Sequence, residues 1–410
     1  MILYKSTFRP TQLLQSNNII DVLENQAALS FVMQQRGTPT TELSLRYAGK
    51  VDFDLPTTLQ LMDVYQRAKK KLPYFVENQL AIDKRSYEQS TSEAVAKYKT
   101  TFIHGKTLLD MTAGIGVDSL FLAKRFDEII AVERNTELHE MASYNVKKLG
   151  CTNIKRVDGD SHTLLNKSYD WVYIDPDRRV KNARSVALHL LEPNVLQLYD
   201  DFRKYAQNVY IKLSPLFDLE MVLRQFEDTQ AIYLLAEKGE VKEVGIHLNF
   251  KQKTTFPAIH HIDVHSGFSH TSPSQQHSGE ISIAESSESY SHLLLPISLV
   301  AKSKAYPYFI GSQDVYKNPS FEVFYSNEHK IEGFRAFEVL DRSTLSPKKV
   351  KQMLNSNKIS QANIIIKGLK EKPADWHKKL GSRDGGNYFL FLLKSKKSEA
   401  VLGEFISSKK

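Results

Sequence analysis

Thr107-Leu108-Leu109-Asp110-Met111-Thr112-Ala113-Gly114-Ile115-Gly116-Val117-Asp118 reads as a short apolar strand, a glycine turn and the start of an amphipathic helix over residues 118–125. A buried run ending in an acid and then in closely spaced glycines is how a parallel strand hands over to its crossover helix. Beyond it the two signals alternate: EIIAVE at Glu128–Glu133, a helix over residues 137–149, a strand at 154–157, WVYI at 171–174, a helix within 187–206 and VYIKL at 209–213. Continuous apolar strands alternating with helices predict βαβ units and a parallel sheet buried on both faces, an α/β fold of Rossmann-like type.

The flanks differ from this centre. Residues 18–35 place Ile19, Val22, Leu23, Leu29 and Val32 near one helical face, residues 56–74 do the same with Leu59, Met62, Tyr65 and Ala68, and a capping pattern opens a third helix at residues 90–93. After residue 254 the pattern weakens. Residues 266–291, rich in Ser, Gln, Glu and His, read as a long polar loop or hairpin excursion. Short strands and helices follow at 321–325, 333–340, 347–355, 363–367, 374–380 and 388–393, which predicts small α+β modules.

The chain has 410 residues, too many for one ordinary core, and a single cysteine, Cys151, which excludes a disulfide framework or a cysteine-rich zinc module. No apolar run approaches a membrane span, and the first residues lack a secretory pattern, so a soluble cytoplasmic protein is expected. Net charge is +8, unevenly spread. From Asp341 onward there are 16 Lys/Arg against 6 Asp/Glu, leaving 39 against 41 in everything before. All of the basic excess thus lies in the last segment, the pattern of a body with an appended polyanion-binding module or of a solvated lysine-rich tail. His260, His261, His265, His270 and His277 fit no zinc spacing and have no cysteine partner, so they read as incidental members of a mobile polar loop, and no metal is expected. Nothing matches a Ser-His-Asp nucleophile or a P-loop.

The chemistry sits on the strand ends. Gly114 and Gly116 let backbone approach a ligand, with Ala113 and Asp118 in the same turn, and the helix start offers free N–H groups. A dinucleotide fingerprint would want a third glycine, where Ser119 stands, and Asp110 would repel a pyrophosphate. A sulfonium cofactor with an amino group suits that carboxylate. Glu133, ending the second strand, can accept both ribose hydroxyls of an adenosine, and Asp160, ending the third, an exocyclic adenine amine. The three acids in this order predict an S-adenosylmethionine site.

These motifs, DMTAGIGVDS with the later AVE and DGD, resemble a class I S-adenosylmethionine-dependent methyltransferase over residues 106–250. By that resemblance Asp110, Gly114 and Gly116 hold the methionine end, Glu133 the ribose and Asp160 the adenine. YIDPDRR at 173–179, IKLSP at 211–215, YEQSTSEAVAKYK at 87–99 and KKLGSRDGGNYFLF at 378–391 resemble, more narrowly, a bacterial group of THUMP-like methyltransferases. The resemblance implies an N-terminal helical domain over 1–104, the methyltransferase domain over 105–252, a ferredoxin-like α+β domain over 253–342 and a basic THUMP-like domain over 343–410.

Asp175-Pro176-Asp177-Arg178-Arg179 stands where related enzymes meet their acceptor, but two arginines replace the aromatic that amino-N-methyltransferases use to stack a base. Asp175 can orient or deprotonate an acceptor nitrogen and adjoins the cofactor, and Arg178 and Arg179 can clamp a phosphate bidentately or pair with Asp177. Pro176, Lys212 and Ser214 complete the candidate acceptor site, while EKGEVKE at 237–243 reads as a solvated hairpin turn in which Glu240 or Glu243 is a lesser candidate. The lysines after residue 347 lie on predicted elements among Tyr388 and Phe389, which points to RNA, and THUMP domains in general bind RNA. The reading is a methyltransferase of structured RNA, tRNA or rRNA. A protein or small-molecule acceptor, and a non-catalytic RNA-binding protein that keeps cofactor binding, stay open.

Overall fold

The computed structural model describes residues 19–178, 187–274 and 280–406. The chain folds into two compact units, the first comprising residues up to Asp175 with Leu198–Asn208, the second Pro176–Gln197 with Val209 onward.

Among the described residues the first unit begins with seven helices, α1 (Ile19–Glu24), α2 (Gln26–Gln34), α3 (Thr40–Tyr47), α4 (Leu55–Ala68), α5 (Pro73–Glu77), α6 (Lys84–Gln89) and α7 (Glu93–Lys99). The single helix expected over 18–35 is two, because the Asn25 side chain accepts from the amides of Ala27 and Ala28 and caps α2. Asp54 caps α4 in the same way, accepting from Thr57 N at 3.1 Å. That helix is the spine of the group, burying Leu59, Leu61, Met62, Val64 and Tyr65.

Four parallel strands follow: β1 (Thr107–Asp110), β2 (Glu128–Glu133), β3 (Ile154–Asp158) and β4 (Tyr169–Ile174), with α8 (Val117–Leu122) and α9 (Thr136–Lys148) as crossovers. Their order is β4-β1-β2-β3, so β1 is central and its C-terminal Asp110 is buried. This is the Rossmann-like α/β arrangement read from the sequence. Asn145 of α9, fully buried, both accepts from Ala81 N (2.6 Å) and donates to Ala81 O (2.9 Å), which fastens the helical group to the sheet's crossover helix.

In the second unit β5 (Asp177–Arg178) pairs antiparallel with β6 (Leu191–Glu192). The helix expected within 187–206 is α10 (Tyr199–Tyr205), which belongs to the first unit and leads into β7 (Ala206–Leu213), whose residues from Val209 onward are in the second; α11 (Leu219–Gln225) follows there. β8 (Thr229–Glu237) and β9 (Glu240–Asn249) form an antiparallel hairpin whose tight turn, Lys238-Gly239, has positive φ at both residues, as the charged EKGEVKE stretch suggested. β10 (Ala258–Asp263) runs parallel to β8 and pairs antiparallel with β11 (Ser269–Pro273).

This last hairpin corrects the reading of the histidines as members of a mobile loop. His260 and His261 lie in β10 and His270 in β11, where β-ladder bonding leaves their side chains specific partners. His260 stacks on Tyr233 at 4.6 Å, buried His261 sits 2.9 Å from Ser303 Oγ, and His270 pairs with Glu332 at 2.7 Å. His265 is in the connecting turn, and His277 lies outside the described residues. Among the described residues no group of three or more His, Cys, Asp or Glu is placed to hold a metal, and no helix is long and apolar enough to cross a membrane.

The remainder is one seven-stranded sheet: β12 (His292–Pro296), β13 (Val315–Lys317), β14 (Phe324–Ser326), β15 (Phe334–Ser343), β16 (Asn363–Lys367), β17 (Tyr388–Leu393) and β18 (Glu399–Phe405), in the order β13-β14-β12-β15-β18-β17-β16. α12 (Ser298–Ser303) and α13 (Tyr306–Ile310) belong to its first half, α14 (Pro347–Ser356) and α15 (Pro373–Leu380) to its second. Val350, Met353, Leu354, Trp376 and Leu380 of the last two helices pack on Ile364, Leu390, Leu392 and Leu402 of one sheet face. The other face carries Phe337, Phe391, Val401 and Leu393.

Candidate functional site

The β1–α8 turn is held almost entirely by its own backbone. Met111 N donates to Tyr173 O, Ala113 N to Val132 O and Gly116 N to Ala113 O, all within 2.9 Å, while Thr112 N reaches Asp110 Oδ1 at 3.2 Å. Gly114 and Gly116 both have positive φ, which a side chain would oppose. Space lies open beside Gly114, where an added Cβ would meet nothing within 4 Å. The amides of Met111, Thr112, Ala113 and Gly116 are thus spent within the protein, while α8 begins after Gly116 with no side-chain cap on its first amides, so the turn sets carboxylates beside a helix start.

Two carboxylates flank it. Glu133 Oε2 accepts from Gly114 N at 2.9 Å and Oε1 from Asn135 N at 2.8 Å, joining the β1 turn to the end of β2. Each oxygen keeps a lone pair for a further donor. Asp110 is buried, with Ser119 Oγ donating to Oδ2 at 2.5 Å. Burial pushes its carboxyl up to about 6, against the opposing pull of the Ser119 and Thr112 hydrogen bonds and of Arg156.

Arg156, from the middle of β3, is a residue the sequence did not single out. Its Nη2 donates to Gly114 O at 3.1 Å, while its Nε and Nη1 are buried without a hydrogen-bond partner among the described residues. Burial lowers its pKa, and attraction to Asp110 and Glu133 restores part of the loss. A second overlooked group is Lys99, wholly buried, which lies 2.7 Å from Asp118 Oδ1 and donates to Tyr173 OH at 2.8 Å. Asp118 Oδ2 also accepts from Thr91 Oγ1 (2.7 Å) and Tyr173 OH (3.0 Å), so Asp118 ties α7 and β4 to α8. Neither cation has a local sequence signal, since their partners lie far away in the chain.

The other predicted positions divide. Asp175 N donates to Thr112 Oγ1 at 2.6 Å, which brings it to the same turn as Asp110 and Gly114. Asp160 is exposed and accepts from His162 N at 2.9 Å, capping the single 3-10 turn after β3. Pro176 is buried and Asp177 exposed in the second unit. Arg178 is described by its backbone pairing with Leu191, and Arg179 lies outside the described residues. Lys212 and Ser214 are half-buried at the end of β7 and just after it, and Ser214 O accepts from Phe217 N at 3.1 Å. Of the lesser candidates, Glu240 pairs with Lys242 at 2.5 Å, whereas Glu243 is buried and accepts from Tyr210 OH at 2.6 Å.

The C-terminal sheet adds the deciding comparison. Residues 334–404 match the THUMP domain-like family. The matched span covers β15 through nearly all of β18, including the α14 and α15 layer, so the THUMP domain-like module is the half of the seven-stranded sheet that carries the basic excess. The chain is also similar to the 23S rRNA (uracil(747)-C(5))-methyltransferase of Pyrococcus horikoshii, 25% identical over 164 residues, which is 38% of this chain and 39% of that protein. The protein of the same name from Pyrococcus abyssi is 23% identical over 164 residues, with the same 38% and 39% coverage. The chain thus matches about two fifths of the length of these curated relatives. A candidate methyltransferase from Porphyromonas gingivalis W83 shares the fold over 95% of this chain and 99% of its own, with a TM-score of 0.80 at 22% identity.

Proposed function

We propose that the chain is a cytoplasmic S-adenosylmethionine-dependent methyltransferase acting on structured RNA, tRNA or rRNA. The observation that carries this reading is the pair of carboxylates, Asp110 and Glu133, on either side of an open glycine turn. The residues fit the cofactor in charge. Asp110 and Glu133 with Arg156, and the Asp118–Lys99 pair, sum to one negative charge when all are ionised. S-adenosylmethionine, with its sulfonium, ammonium and carboxylate, carries one positive.

When bound, the cofactor supplies an activated methyl group. Asp110 would hold the methionine amino group, Glu133 the ribose hydroxyls and Asp160 the adenine amine, with Ala113, Gly114 and Gly116 as the floor. Asp118 would keep α7 and α8 in place. Asp175, anchored through Thr112, would accept the N–H of the acceptor and take its proton, so that proximity and orientation supply most of the rate. Pro176, Arg178, Arg179, Lys212 and Ser214 are assigned to the acceptor side, the arginines to phosphate. The lysines of the THUMP domain-like module would hold the RNA backbone.

The acceptor we favour is a nitrogen. Methylating a carbon such as uracil C5, the position in the relatives' names, calls for a covalent nucleophile to activate the ring. The one cysteine, Cys151, precedes β3 and so sits at the opposite end of the strands from Asp110 and Glu133, and burial pushes its thiol up. A nitrogen lone pair needs no such help.

The test is transfer of tritium-labelled methyl from S-adenosylmethionine into total RNA from cells lacking this protein, with Asp175→Ala alongside. Label that the variant abolishes supports the reading, and nuclease mapping names the base. Cofactor binding by calorimetry with no label in RNA would overturn the RNA part.

A further inference from the structure

On the sheet face of the THUMP domain-like module that α14 and α15 do not cover, three rings form a floor. Phe337 of β15 lies 4.8 Å from Phe389 of β17 and 5.6 Å from Phe405 of β18, and Phe389 and Phe405 are 6.2 Å apart, centroid to centroid. The strand register explains the cluster. Phe337 pairs with Phe405, and Phe389 pairs with Gly403, whose missing side chain leaves the neighbouring rings room; a Cβ there would lie 3.2 Å from Phe337. Phe337 is buried, while Phe389 and Phe405 remain partly exposed.

Arg335 lies over this floor. Its guanidinium carbon is 5.3, 5.5 and 5.2 Å from the centroids of Phe337, Phe389 and Phe405, and the residue is exposed. Among the described residues its guanidinium makes no hydrogen bond or ion pair, so its N–H donors are unspent while its plane is held by the rings. Most arginines so placed are matched by a nearby acid. Glu399, at the far end of β18 on the same face, is buried and accepts from Ser287 and Tyr325.

We infer that Arg335, Phe389 and Phe405 form a stacking platform for an unpaired base of single-stranded RNA. An aromatic floor with a planar cation on it is how proteins hold splayed-out bases, the rings and guanidinium taking the base faces while free N–H groups meet phosphate or base edges. The charge agrees, because the segment from Asp341 onward carries 16 basic against 6 acidic residues. A protein partner with an apolar surface would have no use for an unpaired arginine at the centre of the patch. The inference rests on the RNA reading above and deepens it, since it says that the module recognises an unstacked nucleotide as well as a duplex backbone.

The experiment uses the full chain with two probes, a short single-stranded RNA of mixed sequence and a duplex of the same length, followed by fluorescence anisotropy. Arg335→Ala and Phe389→Leu are each expected to weaken single-strand binding on the order of ten-fold, with duplex binding and melting temperature unchanged. Arg335→Gln, a surface change, serves if Phe389→Leu fails to fold. If both arginine variants bind the single strand as wild type does, while reversing Lys348, Lys349, Lys378 and Lys379 to Glu weakens both probes, the platform is wrong and the RNA reading survives. If wild type binds neither probe, the RNA reading itself falls.

Discussion

Lys99 Nζ lies 2.7 Å from Asp118 Oδ1, with the lysine side chain wholly buried and the aspartate nearly so. Asp118 and the Tyr173 hydroxyl offset the desolvation of an ammonium in that position. Lys99→Met removes the cation beside the largely buried Asp118, and is expected to cost about 3 kcal/mol of stability. The double variant Lys99→Met, Asp118→Asn should regain a good part of that in thermal or denaturant unfolding. Equal losses in the single and double variants would show that the pair contributes through packing alone.

Glu133 joins two turns through two backbone amides. Glu133→Ala is expected to lower stability by about 1–2 kcal/mol and to weaken S-adenosylmethionine binding by at least ten-fold in calorimetry. Glu133→Gln keeps one acceptor oxygen but sets an NH2 group against the other backbone N–H, so it should recover at most part of that stability and still lose affinity.

Asp110 links pH to both binding and stability. Its carboxyl is raised from 3.8 to about 6, so the protonated form suits the fold better than the ionised one. The stability it contributes is fully present below about pH 3.8 and is lost as pH rises through about 6, up to about 3 kcal/mol in all. Binding of a cationic cofactor has the opposite sign, because it needs the carboxylate. Affinity should rise between pH 5 and pH 7 with a midpoint near 6, and Asp110→Asn should bind weakly and without that transition. A wild-type affinity that does not change across this range would remove Asp110 from the site.

Arg156 is expected to act on that midpoint. With its guanidinium gone, attraction no longer opposes the burial of Asp110, so in Arg156→Met the binding transition should move to higher pH and affinity at pH 7 should fall. Arg156→Lys should restore part of the shift. A loss of melting temperature with an unmoved midpoint would mark the arginine as a prop for the Gly114 turn alone.

In the second unit, Gly245 of β9 makes room for the Tyr210–Glu243 hydrogen bond. A Cβ at Gly245 would come within 1.8 Å of the Tyr210 hydroxyl, an impossible approach. Gly245→Ala should therefore destabilise by about 3 kcal/mol, and adding Tyr210→Phe should recover little of it in the same unfolding measurement, because the ring's Cζ and Cε2 would still lie 2.2 and 2.6 Å from the new Cβ.

By itself the sequence determined the alternation of strands and helices around Asp110, because buried parallel strands need continuous apolar runs and crossover helices need a 3.6-residue period, both of which are local. It also placed Gly114, Glu133 and Asp175 in one neighbourhood, since a strand end, a turn and an acid have positional meaning along the chain. It left residues 18–35 as one helix because a cap at Asn25 depends on one side-chain geometry, not on periodicity. Only the tertiary structure decided what the charges do. Lys99 reads as a solvated lysine until Asp118 and Tyr173 close around it, and Arg156 reads as a strand residue until its guanidinium is found beside Gly114. The aromatic floor beneath Arg335 is of the same kind, brought together by three strands whose pairing sets which rings meet. Burial and partnership of polar groups depend on residues distant in the chain, and that information exists only once the chain has folded.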